Sequence, residues 1–297
     1  MKIGIFGSEY QIEKQSIIKR VFNKLDDQGV DVYVDASFAH FLWDAFHYKP
    51  AIKGILSGDF FDLDIAISMG GDGTFLRTAA RVNKQNIPIL GINTGRLGFL
   101  ADVGSTDIED TLDELFKHYY KVEERTLLRL ATENHVYQGY NYALNEVAIL
   151  KRDTSSMITI HTELNGEYLT SYQADGLIVA TPTGSTAYSM SVNGPIILPQ
   201  DNSLVLSPVA PHSLNVRPLV IPDDYRITLG VESRNRTFLI SLDGRSEVFP
   251  AGIRLEISKA DYTTKVIKRH KHTFYQTLRE KLMWGADVRM DKERNMK

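Results

Sequence analysis

The stretch AISMGGDGTFLR, residues 66–77, passes from an apolar run through a glycine-rich turn into a helical pattern. A buried strand that breaks at glycines and restarts as a helix is the junction of an open α/β sheet. Ligands of such sheets bind beyond the carboxyl ends of the strands. The glycines remove Cβ atoms, so a ligand's phosphates can approach the backbone. The helix that follows offers free N–H groups and a positive dipole end. Thr74 stands where a helix cap is expected. The usual phosphate loop carries a lysine; this one carries Asp72. An acid beside phosphate either holds Mg²⁺ or takes a proton from a hydroxyl that attacks phosphorus. The structural alternative is a tight turn in which Asp72 only helps to cap the helix.

Outward from this turn, the first third alternates between two periods. KIGIFG, VDVYVD, LDIAISM and IPILGIN read as buried strands. EKQSIIKRVFNKLDDQG, FLRTAARVNK and DIEDTLDELFKHYY read as amphipathic helices, the first stopped at Gly29. Alternation of this kind predicts a parallel, Rossmann-like sheet covered on both faces. Near Arg125 the pattern changes to short β-branched and aromatic runs: RLATENH, YALNEVAIL, ITIHTELNG, LIVATP, RPLVIP, RITLGVES and FLISLDG. They predict a β-rich domain of layered sheets or a sandwich. TFYQTLREKLMW places Phe274, Leu278 and Leu282 on one helical stripe. The expected division is an α/β domain over 1–124, joined by 270–297, and a β-rich domain over 125–269.

The chain has 297 residues, 43% hydrophobic and 24% charged, an ordinary globular balance with length enough for two domains. A net charge of -3 argues against nucleic acid as a partner. The absence of cysteine excludes disulfides, thiolate metal sites and cysteine nucleophiles, and fits a reducing cytoplasm. No apolar run approaches the roughly 20 residues of a membrane span. The start turns polar too soon for a signal peptide. His270 and His272, in KRHKH, have no third ligand at metal spacing, and this basic run reads as a solvated face.

Two more stretches bear on chemistry. In ALNEVAIL, Asn145 and Glu146 interrupt strand-like runs. The acid can accept from ribose hydroxyls and the amide can pair with an adenine edge or a phosphate; a plain strand end is the alternative. In ADGLIVATPTGSTAYSMSVNGPII, residues 174–197, a buried strand opens at Asp175. It runs into a loop where Thr183, Ser185, Thr186 and Ser189 surround Gly184, with Tyr188 among them. Such hydroxyls and N–H groups can wrap a dinucleotide, and the tyrosine can cover a ring or a ribose. A Ser/Thr-rich turn around a core tyrosine is the other reading.

GGDGT resembles the signature shared by NAD kinases, diacylglycerol and sphingosine kinases and, more distantly, phosphofructokinases. With ALNEVAIL and the long TPTGSTAYS block in the same order, the chain resembles the NAD kinase family over roughly residues 60 to 250. NTGRLGFLAD, PHSLNVRPLVIP and SLDG match that family's pattern too. The resemblance implies ATP, or polyphosphate, as phosphoryl donor, NAD as acceptor, NADP as product and Mg²⁺ as the divalent metal, with its ligands unassigned. It implies that Asp72 accepts the proton of the 2′-hydroxyl, with Gly73 beside it, and that Asn145 and Glu146 contact the adenosine of NAD. Asp175 falls to the second ribose. Thr186, Ala187, Tyr188, Ser189, Met190 and Ser191 line the dinucleotide, and Ala210 touches its nicotinamide end through backbone. Arg77, one helical step past the turn, is a candidate phosphate ligand. The resemblance also implies a homodimer or homotetramer. A lipid kinase with the same turn, or a non-catalytic NADP(H) sensor, are the competing classes. An apolar acceptor slot would mark the first and binding without product the second.

Overall fold

The computed structural model describes residues 1–9, 12–95, 97–133, 135–152 and 156–285. The chain forms two compact units, Met1–Glu123 with Lys265 onward, and Glu124–Thr264. In the first unit β1 (Lys2–Gly7), β2 (Asp31–Asp35), β3 (Gly54–Leu56), β4 (Ile65–Met69) and β5 (Ile89–Ile92) alternate with α1 (Gln15–Asp27), α2 (Ala36–Phe46), α3 (Asp72–Val82) and α4 (Ile108–Phe116). The strands are parallel in the order β5-β4-β1-β2-β3. Ile3, Ile5, Val32, Val34, Ile65 and Ile67 share one buried face of the sheet, and Gly4, Phe6, Ala66 and Ser68 are buried on the other, as a parallel sheet covered on both faces requires. In α1, Ile18, Val21, Phe22 and Leu25 supply the inward stripe. The strand order reverses at β1, with β2 on one side and β4 on the other, which makes the β1/β4 edge the switch point of the sheet.

Helix α2 is absent from the periodicity reading. ASFAHFLWDAF is apolar on most sides, so it shows no clear stripe. It forms because the Asp35 side chain caps it, accepting from the Ser37 amide at 3.1 Å, and because Phe38, Leu42 and Phe46 are buried. A second difference concerns α3. It starts at Asp72 with Gly71 as its N-cap, so Thr74 is inside the first turn and not the cap.

The second unit contains β6 (Lys121–Thr132), β7 (Tyr142–Ala143), β8 (Glu146–Lys151), β9 (Ile158–Leu164), β10 (Glu167–Ala174) and β11 (Gly176–Ala180). A short helix α5 (Tyr188–Ser191) precedes β12 (Ser203–Val209), β13 (Leu219–Pro222), β14 (Ile227–Glu232), β15 (Thr237–Leu242), β16 (Arg245–Pro250) and β17 (Arg254–Lys268). One antiparallel layer runs β13-β12-β11-β8-β15-β16; β10, β9, β14 and β17 form another. Between them Val147, Ile149, Leu177, Val179, Leu204, Phe238 and Ile240 meet Ile160, Leu229, Leu255 and Ile257 in one core. The layered β-rich reading and the parallel α/β reading describe these two units.

From Lys265 the chain is again in the first unit. Val266 pairs in parallel with Ile89 of β5, and Ile267 joins that core. Helix α6 (Phe274–Leu282) follows, its cap Thr273 accepting from the Gln276 amide. The Phe274 ring lies 5.9 Å from that of Phe99, so this helix packs on the first unit. The KRHKH run is not a solvated face. Lys268 is buried and pairs with buried Asp102 at 2.7 Å, and Arg269 pairs with Glu114 at 3.1 Å. Among the described residues no helix is long and apolar enough to cross a membrane.

Candidate active site

Asp72 leaves β4 at the switch point as the first residue of α3. Its carboxylate is turned onto the loop that follows β5. Oδ2 accepts from the Phe99 amide at 3.0 Å, and Oδ1 accepts from the amides of Leu100 and Ala101, both at 3.0 Å. Lys281 of α6 adds its ammonium at 3.3 Å from Oδ2. Gly98 allows this approach: a Cβ there would stand 2.0 Å from Asp72 Oδ1. Burial pushes the acid up, but Lys281 and the three amides outweigh it and hold Asp72 below the ordinary carboxylate range. Asp72 is therefore a weak, ionised base.

Gly71 and Gly73 have open space where a Cβ would sit, so packing within the chain does not demand glycine at either. Their bareness leaves the backbone N–H groups of the turn approachable. Thr74 is buried, and its Oγ1 accepts from Arg77 at 3.3 Å. Arg77 and Thr74 line a cleft of about 420 Å³ with Gly7, Asp35, Ser37 and Arg81, beyond the carboxyl ends of β1 and β2. Arg81 in that cleft is tied to Asp35 at 3.5 Å and to the Gly58 carbonyl at 3.1 Å.

In the second unit the break between β7 and β8 carries Asn145 and Glu146. Asp243, at the β15–β16 turn, makes the break. Its carboxylate accepts from the amides of Leu144 at 2.7 Å, Asn145 at 2.8 Å and Glu146 at 3.1 Å. Arg245 fastens the same corner by donating to the Tyr140 and Tyr142 carbonyls, each at 2.6 Å. Glu146 is 9% exposed, and its Oε2 has no hydrogen-bond partner. Burial and the Asp243 charge raise it to about 8, against a downward pull from the Tyr188 amide. A buried carboxyl oxygen without a partner within the chain is open to a donor from water or from a ligand.

The 181–191 loop is knitted to that corner. Thr181 Oγ1 donates to the Leu144 carbonyl at 2.6 Å, and a Cβ on Gly184 would stand 2.1 Å from the Asn145 carbonyl oxygen. Tyr188 stands exposed beside Ala187, Met190 and Ser191. The expected wrap of hydroxyls is only partly there. Ser189 Oγ is buried against Ser207 Oγ at 2.9 Å, and Ser185 Oγ donates to the Pro182 carbonyl at 2.7 Å. Thr186 and Ser191 turn their hydroxyls to the carbonyls of Thr183 and Tyr188. These side chains shape the loop, and Tyr188 stands exposed on it.

Asp175 and Ala210 are not with Glu146. In β11, Ala180 pairs with Glu146 and Gly176 pairs with Val209, so the two sets occupy opposite ends of one strand. Five residues of strand span roughly 17 Å, which is the reach of an extended dinucleotide rather than of one nucleoside. At the far end Asp175 is paired with Lys151 at 2.6 Å, and Ala210 has a left-handed backbone, φ 44°. Left-handed geometry in a non-glycine residue is a costly device that concentrates at binding positions. Reading by motif missed three residues that build these sites. Lys281 carries no motif, Lys268 stands only in the KRHKH run read as a solvated face, and Asp243 only in SLDG. Lys281 was findable in principle, three positions past Leu278 on the flank of the α6 stripe.

A parallel α/β unit with an acid-bearing glycine turn, joined to a layered β unit with a buried acid, defines a small-molecule phosphotransferase. Residues 3–120 match the ATP-NAD kinase N-terminal domain and residues 144–269 match the ATP-NAD kinase C-terminal domain. The NAD kinase of Bacteroides fragilis is 53% identical over 98% of this chain and 100% of its own. That of Porphyromonas gingivalis is 48% identical over 97% and 99%. The fold is similar to that of yeast NADH kinase complexed with NADH, with a TM-score of 0.86 at 22% identity, covering 97% of this chain and 89% of that one. It is also similar to an NAD kinase from Archaeoglobus fulgidus in complex with ATP, with a TM-score of 0.73 at 26% identity, covering 96% and 98%. The chain belongs to the ATP-NAD kinase family.

Proposed function

We propose that this chain transfers the γ-phosphoryl group of ATP to the 2′-hydroxyl of the adenosine ribose of NAD, giving NADP, with Asp72 receiving the hydroxyl proton. The observations that carry the roles are an ionised acid at the glycine turn of the first unit and, in the second unit, a buried acid, Glu146, with one unpartnered oxygen. Glu146 and Asn145 hold the adenosine of NAD. The backbone of residues 186–191 and Tyr188 line the dinucleotide, and Asp175 and Ala210 take its other end. The cleft lined by Arg77 suits the triphosphate. Asp72 is a weak base, which suits a loose phosphoryl transition state in which the proton leaves late and positioning does most of the work.

Among the described residues no three His, Asp or Glu side chains form a metal cage, and the acceptor positions of Asp72 are filled. The described residues supply no cage for a resident divalent ion, so Mg²⁺ would enter on the triphosphate. The absence of cysteine supports the cytoplasm as its place.

The test is turnover. Purified protein with NAD, ATP and Mg²⁺ should yield product that an NADP-specific dehydrogenase reads, with NADH and polyphosphate as alternative substrates. Asp72→Asn should lower kcat by about 10²-fold or more while KM for NAD changes little. Wild-type turnover by this variant would remove Asp72 from the proton-accepting role.

A further inference from the structure

Asp72 has no acceptor position to spare. Oδ1 takes the Leu100 and Ala101 amides, and Oδ2 takes the Phe99 amide and Lys281 Nζ. A carboxylate offers about four lone-pair positions, and all are used. The three amides belong to one loop. That loop is fixed by the close approach of Gly98, and by Lys268, which bonds Asp102 at 2.7 Å and reaches the Phe99 carbonyl at 3.4 Å. They cannot leave singly. Lys281 can. It has a flexible stem, its side chain is 31% exposed, and its 3.3 Å contact is the longest of the four. Its ammonium also lies 4.6 Å from the centroid of the Phe99 ring, a second resting place beside the same carboxylate.

A hydroxyl that gives its proton to Asp72 must occupy one of these four positions. The phosphoryl group it attacks brings anionic oxygens to the same spot, the partners a displaced ammonium would seek. We propose that Lys281 is a mobile phosphoryl ligand: it covers Asp72 in the free enzyme and moves to the transferring phosphoryl group when both substrates bind, which uncovers Oδ2 for the 2′-hydroxyl. The hydroxyl oxygen then bonds to phosphorus as the bond from phosphorus to the β,γ-bridging oxygen of the donor breaks. The hydroxyl proton passes to Asp72, ADP leaves with the bridging oxygen, and Lys281 keeps its protons throughout. The last helix of the chain thereby supplies a working group to the turn that opens after β4.

This inference rests on Asp72 receiving the hydroxyl proton, and the experiment separates the two. Turnover and both KM values are measured for the full-length parent, Lys281→Met, Lys281→Arg and Asp72→Asn. Lys281→Met should lose at least about tenfold in kcat, as removal of a charge-stabilising donor does. Its KM for NAD should stay within about threefold, since the lost contact is made in the transition state. Lys281→Arg, which keeps the charge on a long stem, should recover most of the loss. Wild-type kcat in Lys281→Met, with Asp72→Asn crippled, overturns the role of Lys281 and leaves that of Asp72. A raised KM for NAD at unchanged kcat also overturns it, because it makes Lys281 a ground-state contact. Wild-type kcat in Asp72→Asn overturns the reading beneath it.

Discussion

Burial and the neighbouring Asp243 charge place Glu146 at about 8, so near neutrality the free enzyme carries it mostly protonated. The energetic sign follows from linkage. In the unfolded chain this acid titrates near its ordinary value of 4.5. Between that value and about 8 the folded state binds the extra proton, so its contribution to stability falls as pH rises through this window. Glu146→Gln removes the titration. The variant should melt no higher than the parent near pH 4.5, and progressively higher than it up to pH 8, in the absence of ligand. The same variant should bind NAD more weakly as pH rises toward 8, where the parent's acid ionises and offers the ribose a charged acceptor that Gln lacks. Differential scanning calorimetry across that range, with an NAD titration at each pH, checks both halves. Asp72 is the opposite case: its lowered pKa favours the ionised folded form, a contribution present at neutral pH and lost on acidification. Neither environment is visible in the letters around these acids, because the groups that set them are distant: Asp243 lies 97 positions from Glu146, and Lys281 lies 209 from Asp72.

The break between β7 and β8 is an element-scale device. YALNEVAIL has the composition of one strand, and the Asp243 carboxylate, taking three consecutive amides, splits it and sets Asn145 and Glu146 at the gap. Asp243→Asn puts an NH₂ group where an acceptor is needed, and leaving a buried donor unsatisfied costs about 1–3 kcal/mol. The expected outcome is a lower melting temperature together with a KM for NAD raised by about tenfold or less. Steady-state kinetics at fixed ATP, paired with a melt, measures both. Legibility also follows the elements. Strands β1, β4 and β5 announce themselves as largely apolar runs because they are buried on both faces, and β2 as an alternating run, DVYVD, that buries one face. The strands β10, β12 and β16 do not. EYLTSYQA buries only Tyr172 and Ala174, RSEVFP buries only Phe249, and SLVLSPV is interrupted by serine and proline. Helix α2 hides for the converse reason, being apolar nearly all round.

The two units differ in how much of the chain each must wait for. The second is contiguous, whereas the first takes its core from both ends of the sequence. Val266 and Ile267 extend its sheet and core, Lys268 pairs with Asp102, and α6 brings Phe274 against Phe99. A fragment of residues 1–123 lacks these partners. It exposes the open edge of β5 and leaves the buried Asp102 without its cation, a loss of several kcal/mol against a typical domain stability of about 5–15 kcal/mol. Such a fragment should show no cooperative thermal transition by circular dichroism, and a chain in which 265–285 is joined to it through a flexible linker should regain one.

The contact between Lys281 and Asp72 has a consequence for biosynthesis. A ribosome that has made the glycine turn has still to make some two hundred residues before the ammonium that answers it exists. No partly made chain can assemble that charge pair. A growing polypeptide therefore carries the glycine turn without the ammonium that covers its carboxylate until α6 has cleared the exit tunnel.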